Sequence, residues 1–287
     1  MNIKIAIAYH KPALILRGKN FIPLHVGKTI SHCDLEIQGD NTGDNISEKN
    51  PLYCELTGIY WLWKNTTADY KGLMHYRRIF TIQKYHWLYK FRILIKYYIR
   101  QFVSPFYPIK ALGVTKDYPA GVKENYVKNA KRLDSELESL LNGVNIIVPE
   151  PMYEYISTKC FFMQNVPVWA LTLTTDIIKN EYPEFIDVWQ KSLKSYRLYQ
   201  RNMFIMDNCT FEDYCKRLFN ILQIHEQRSV SECYILDIYK EKVYSRLSGY
   251  IAELFTSAYI MFSERNGKIV KEVPLMIFDN SQEYAGR

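Results

Sequence analysis

The strongest constraint on this chain is a change of hydrophobic period within its first third. Ile3, Ile5 and Ile7 alternate with other residues and stop at Lys11-Pro12, the pattern of a strand that ends in a loop. From Asn50-Pro51 onward, Leu52, Leu56, Ile59 and Trp63 fall at helical spacing, with Asn50 as the expected N-cap and Pro51 at the first helical position. After the polar break Lys64-Asn65-Thr66-Thr67, the run Tyr70 to Tyr76 is too short for a helix and reads as a second strand ending at Arg77-Arg78. Strand, helix and strand in alternation predict an α/β fold built on a doubly wound sheet. Farther on, the sequence predicts a buried strand from Val144 to Pro149, and helices across 167–198 interrupted near Tyr182-Pro183. It also predicts a capping box Thr210-x-x-Asp213 ahead of a helix carrying Phe211, Tyr214, Leu218 and Leu222, a helix from Tyr244 to Met261, and a tail with one strand at Val273 to Phe278.

A chain of 287 residues with 48% hydrophobic and 23% charged content is long enough for one sizeable domain, read here as 1–287. Its glycines and prolines are too few for a collagen-like or low-complexity protein, and no repeat of 20 to 50 residues excludes solenoids. The six cysteines form no Cys-x-x-Cys pair and no spacing that builds a zinc site, so they read as free thiols. The opening apolar stretch is too short and interrupted for a signal peptide, and no run of about 18 apolar residues is free of charge, which predicts a cytoplasmic protein. A net charge of +7 favours anionic partners, and an aromatic content of 15% suits sugar stacking or a membrane interface. Both features meet in residues 84–110, where aromatic and aliphatic residues alternate with Lys84, Lys90, Arg92, Lys96, Arg100 and Lys110 without a single acid. Two readings stand side by side: an in-plane helical insertion facing an anionic membrane, and a buried helix hairpin with solvated lysines.

Three constellations could carry chemistry. The loop Gly39 to Ser47 packs Asp40, Asp44, Asn41, Asn45, Thr42 and Ser47 around two glycines, which suits a polyhydroxylated ligand or a turn that satisfies its own backbone. It is no EF-hand loop, because Pro51 stands where the bidentate Glu is required. His75-Tyr76-Arg77-Arg78 falls at a strand's carboxyl end, where open α/β sheets bind ligands, and guanidinium forks match diphosphate oxygens. The two arginines converge only if the backbone leaves the strand there, since successive strand side chains point apart. Arg246, Gly249 and Glu253 share one stripe of the late helix, and Gly249 suggests close approach of a ligand or another element. Asp34-Leu35-Glu36 is the nearest approach to a metal-binding carboxylate pair, and no Walker, Rossmann, zincin or lipase motif is present.

With those residues laid out, the chain resembles a bacterial family of capsular and exopolysaccharide biosynthesis proteins, long catalogued as a domain of unknown function and grouped with glycosyltransferases of the GT-A type. The matching blocks are Gly39 to Ser47, Asn50-Pro51-Leu52-Tyr53-Cys54-Glu55-Leu56-Thr57, Tyr60-Trp61-Leu62-Trp63-Lys64-Asn65, Gly72 to Arg78, Asn202-Met203-Phe204-Ile205-Met206, and Arg246 with Gly249-Tyr250-Ile251-Ala252-Glu253. The resemblance implies a GT-A-like mixed sheet flanked by helices, and sugar transfer from a nucleotide diphosphate to a polyprenyl-diphosphate-linked glycan at the inner face of the cell membrane. UDP-galactofuranose or UDP-galactose is the implied donor. It also implies site roles: Asp40, Asp44 and Glu253 as catalytic carboxylates, His10, Lys11, Asn45, His75, Arg77, Arg78 and Arg246 at the donor, and Asn202 and Met203 at the acceptor. No metal ligand is assigned, although manganese or magnesium is compatible with such chemistry. A non-catalytic membrane-surface scaffold of a polysaccharide-assembly complex is the competing reading. Nucleic acid is not an expected partner, because it explains neither the acidic loop nor the Arg246 to Glu253 stripe.

Overall fold

The computed structural model describes residues 1–82, 123–153, 156–232 and 244–277. Segment 84–110, with both readings of it, and Phe278 lie outside the described residues. The chain opens with strands β1 (Ile3–Tyr9), β2 (Phe21–His25) and β3 (Gln38–Gly39). Helices α1 (Asn50–Tyr53) and α2 (Leu56–Asn65) follow, then β4 (Tyr70–His75) and β5 (Arg78–Phe80). Next come α3 (Lys123–Leu141), β6 (Ile146–Pro149), β7 (Met152–Tyr153), α4 (Thr158–Phe162), α5 (Val168–Glu181) and α6 (Ile186–Lys194). Strands β8 (Arg197–Leu198) and β9 (Phe204–Asp207), helices α7 (Asn208–Glu232) and α8 (Leu247–Arg265), and strands β10 (Val270–Val273) and β11 (Leu275–Ile277) complete it.

The main sheet runs β10-β6-β9-β4-β1-β2-β3, with β5 and β11 attached beside β4. β1 pairs in parallel with both β2 and β4, whereas β9 is antiparallel to β4 and to β6. Because the chain leaves β1 toward β2 and β3 and returns on the other side as β4, the winding reverses between β1 and β4. That reversal opens a crevice at the carboxyl ends of these two strands, the place where open α/β sheets receive ligands.

Both faces of β1 are buried. Ile3, Ile5 and Ile7 pack with Leu133 and Leu137 of α3, while Ala6 and Ala8 face the cluster that holds Leu62, Leu218 and Phe255 of α2, α7 and α8. The small alanines let helices approach, so the alternation in the sequence reports side-chain size as much as solvent exposure. Gly72 serves a similar end on β4, since a Cβ there would collide with the Phe204 carbonyl oxygen of β9.

Two local expectations are corrected. The helix expected from Asn50 is broken at Cys54, whose φ of 52° is left-handed, and Asn50 lies inside α1, its amide donating to the Cys54 carbonyl at 2.8 Å. The start of α7 is capped by Asp207, which accepts the Thr210 N–H at 2.8 Å, so Thr210 belongs to the first turn and is no cap. Among the described residues no helix is long and apolar enough to cross a membrane, and the described cysteines are unpaired thiols.

Candidate active site

The crevice between β1 and β4 collects side chains from five stretches of sequence. β4 ends at His75, and Tyr76-Arg77 make a two-residue turn into β5, with His75 directly paired to Arg78. Paired residues across antiparallel strands share a sheet face, so His75 and Arg78 sit side by side and Arg77 projects from the turn. This is the departure from the strand that convergence of the two arginines required. Tyr76 is buried beneath them: the His10 ring meets it edge-on at 5.2 Å, Arg77 lies 5.8 Å from its centroid, and Lys11 lies 6.0 Å away.

A second wall comes from the turn before β9. Arg201 and Asn202 both have left-handed backbones, with φ of 74° and 49°. His75 Nε2 lies 2.8 Å from the Arg201 carbonyl oxygen, and because a carbonyl only accepts, Nε2 carries the proton. The Asn202 amide donates to Glu55 Oε1 at 2.8 Å and to the Gly249 carbonyl at 3.3 Å, while its oxygen accepts from Thr256. Glu55 sits in the break between α1 and α2 and is thereby tied to α8. Gly249 admits Cys54 at close range, since a Cβ there would meet the Cys54 sulfur at 3.3 Å. The neighbour that the sequence anticipated at Gly249 is therefore another element.

The third wall is the start of α8. Arg246, with φ of 68°, precedes the helix, donates its N–H to the Pro51 carbonyl at 2.9 Å, and lays its guanidinium 5.3 Å from the Tyr250 ring. Two turns on, Glu253 accepts the Arg201 N–H.

The electrostatics follow from this crowding. Burial, aided by the negative charge of Glu55, pushes the Glu253 carboxyl up to about 7. Burial and the positive charges of Arg201 and Arg77 bring Arg78 down to about 10, and its Nε is buried with no hydrogen-bond partner. Burial holds His75 below the ordinary histidine range against the pull of Glu55, and desolvation with Lys11, His75, Arg77 and Arg246 does the same to His10. A surplus of cations with an unsatisfied buried donor can receive an anion. Beside it, a cleft of about 220 Å³ lined by Tyr9, Lys11, Pro12, Asp34, Leu35 and Glu36 opens at the end of β1, and Lys11 borders both spaces.

Other expected site residues stand elsewhere. Asp40 is fully buried and binds the N–H groups of Gly27 and Lys28 at 2.8 and 3.1 Å and the Ser47 hydroxyl, which corrects its expected meeting with sugar hydroxyls. Asn45 spends its amide on Gly43 and Ser47 of its own loop. Asp44 is exposed, accepts from Tyr60, and is held by Asn65 at the far end of α2, about 15 Å of helix away from Glu55. Met203 is 1% exposed in the core, and Asn202 is 0% exposed, so neither presents a surface to an acceptor. Asp34 lines the neighbouring cleft and is paired there with Lys28 at 2.8 Å. Among the described residues no group of three or more His, Cys, Asp or Glu side chains is placed to hold a metal ion. The members of the site with no role assigned from sequence are Glu55 and Arg201. Glu55 lies in a quoted block, and Asn202 beside Arg201 is a residue type that tolerates left-handed backbone.

The family model described as a domain of unknown function, DUF4422, matches residues 4–265. The chain belongs to this family. Among solved structures, this DUF4422 chain is similar to the apo structure of WbbM, a bifunctional glycosyltransferase, with a TM-score of 0.73 and 27% identity over 98% of its length. It spans 46% of that chain, a little under half. A search of curated proteins finds no match. The mixed α/β sheet flanked by helices is thus a glycosyltransferase fold, as the sequence implied.

Proposed function

We propose that this chain transfers a sugar from a nucleoside diphosphate sugar to a lipid-linked glycan intermediate of a capsular or exopolysaccharide. The observation that carries the reading is the cationic crevice between β1 and β4, where Arg78 Nε is buried without a partner in the field of Arg77 and Arg201. The similarity to a bifunctional glycosyltransferase supports it. The nucleoside end fits the cleft beside Tyr9 and Pro12, where Asp34 and Glu36 offer acceptors to ribose hydroxyls, and Lys11 leads from there toward the arginines.

In the reaction the bond between the anomeric carbon and the diphosphate oxygen breaks, and the electron pair leaves with the diphosphate. Arg77, Arg78 and Arg246 stabilise the charge that develops there. The acceptor hydroxyl oxygen bonds to the anomeric carbon and its proton passes to Glu253. A carboxyl with a pKa of about 7 is matched to that task near neutral pH. UDP-galactofuranose and UDP-galactose are the donors to try first, and the inner leaflet is where a polyprenyl-linked acceptor is presented. Scanning fluorimetry with UDP, GDP and CMP sugars, with manganese and with chelator, tests the donor site, because a ligand of the native state raises the midpoint. Stabilisation by a UDP sugar that survives chelator supports the reading. No shift across the panel at millimolar ligand overturns it in favour of a non-catalytic scaffold.

A further inference from the structure

The break between α1 and α2 places a carboxylate at the cost of a strained residue. Cys54 holds φ of 52° and ψ of −131°, a conformation that belongs to glycine, and the residue it delivers to the crevice is Glu55. The break is pressed against α8, where a Cβ on Gly249 would meet the Cys54 sulfur at 3.3 Å. Asn202 fastens it there. The Gly249 carbonyl only accepts, so the Asn202 atom 3.3 Å from it is the amide nitrogen, and the same nitrogen donates to Glu55 Oε1 at 2.8 Å. In α-helical geometry that carbonyl also receives the N–H of Glu253, one turn along α8. Arg201, next to Asn202 in the turn before β9, gives its main-chain N–H to the Glu253 carboxylate. Two carboxylates from distant stretches of sequence are thus bound to adjacent residues of one turn, beside the same part of α8.

Glu55 acts on His75, Arg78 and Arg246 as well as on Glu253, so it is the anion that the walls of the crevice share. The other groups facing Glu253 are Cys54 from the same break, Arg201 from the turn before β9, and Arg246 from the start of its own helix. The two arginines favour the Glu253 carboxylate, whereas burial and then Glu55 oppose it. We propose that Glu55 is a positioning residue for the acceptor half of the reaction: held through Asn202 against α8, its negative charge decides when Glu253 is free to take the acceptor's proton. Glu55 exchanges no proton itself. This rests on the reading of Glu253 as the base and adds to it the residue that sets its working range.

Glu55→Gln keeps an acceptor for Asn202 and removes the charge, whereas Glu55→Asp keeps the charge and shortens the reach. Each is made with and without Glu253→Gln, and stability is followed by chemical denaturation from about pH 4 to about pH 8. The difference between a protein and its Glu253→Gln counterpart isolates the titration of Glu253, whether or not sugar is transferred. In wild type that difference levels off near pH 7. In Glu55→Gln it is expected to level off about one pH unit lower, and the rising limb of the transfer rate to move down with it. Glu55→Asp is expected to stay nearer wild type in both. A role in packing alone gives the reverse order, since Gln matches the shape of Glu and Asp does not. A Glu253 titration in Glu55→Gln that coincides with wild type overturns the inference, as does an unmoved rate limb in a protein that transfers sugar. If the titration moves in Glu55→Gln but wild type transfers from no nucleotide sugar, the proposed function falls and the use of the pair in transfer falls with it, while the coupling of the two carboxylates stands.

Discussion

In the loop from Gly39 to Ser47 the polar side chains answer one another. Asp40 binds Gly27, Lys28 and Ser47, Thr42 accepts from Gln38 and Trp61, and Asn45 bridges Gly43 and Ser47. At the rim of β4 one buried donor is left over: Arg78 Nε has no partner. Both stretches are dense in charge and amide, so density alone does not separate a ligand site from a well-made turn. The two stretches differ in whether a buried donor of their own is left without a partner.

The comparison breaks or sharpens under four substitutions. Arg78→Ala is expected to lower the rate of glycosyl transfer by about a hundredfold to a thousandfold, the range for losing one preorganised donor at a charge-bearing oxygen. Its melting temperature should not fall, because a half-buried guanidinium is removed from its like-charged neighbours. Asp40→Ala should do the opposite: it leaves the N–H groups of Gly27 and Lys28 unanswered and costs about 2–4 kcal/mol in chemical denaturation, while turnover per folded molecule stays near wild type. An Asp40 variant that loses turnover at unchanged stability would erase the division between the two regions.

The third substitution reads pH. The Glu253 carboxyl is raised from 4.5 to about 7, so between those values the folded protein binds more protons than the unfolded chain. Stability therefore falls as pH rises through that window. Activity that needs the carboxylate rises over the same range and levels off above about 7. Glu253→Gln should flatten the stability slope in pH-dependent denaturation and abolish the rising limb of the rate profile; an unchanged limb would take the base role from Glu253. The smallest effect belongs to Asp44→Asn, which keeps an acceptor for Tyr60 at an exposed position. It should shift stability by less than about 0.5 kcal/mol and leave turnover intact.

The residue types at His75, Arg77, Arg78, Arg246 and Glu253 were legible because guanidinium and carboxylate chemistry is written in the side chain itself. Their meeting was not, since it depends on a two-residue turn after β4 and on the winding reversal between β1 and β4, both set by pairings distant in sequence. Glu55 was hidden by a helix pattern that runs on through the break at Cys54. Arg201 was hidden because a backbone conformation leaves little trace in composition. Asp40 and Met203 were misread for one reason, that burial is decided by neighbours: Asp40 sits beneath the Gly27 turn and Met203 under the sheet. The fold class survived such errors, because it rests on many short periodic segments and no single one of them decides it.

Arg78 belongs to β5, which touches β4 through one residue pair and is otherwise completed by β11, Leu275 to Ile277. The frame of Arg78 is therefore closed by a pairing between segments far apart in sequence, residues 78–80 and 275–277. Loss of β11 would leave the core and the charges in place without the strand that fixes β5.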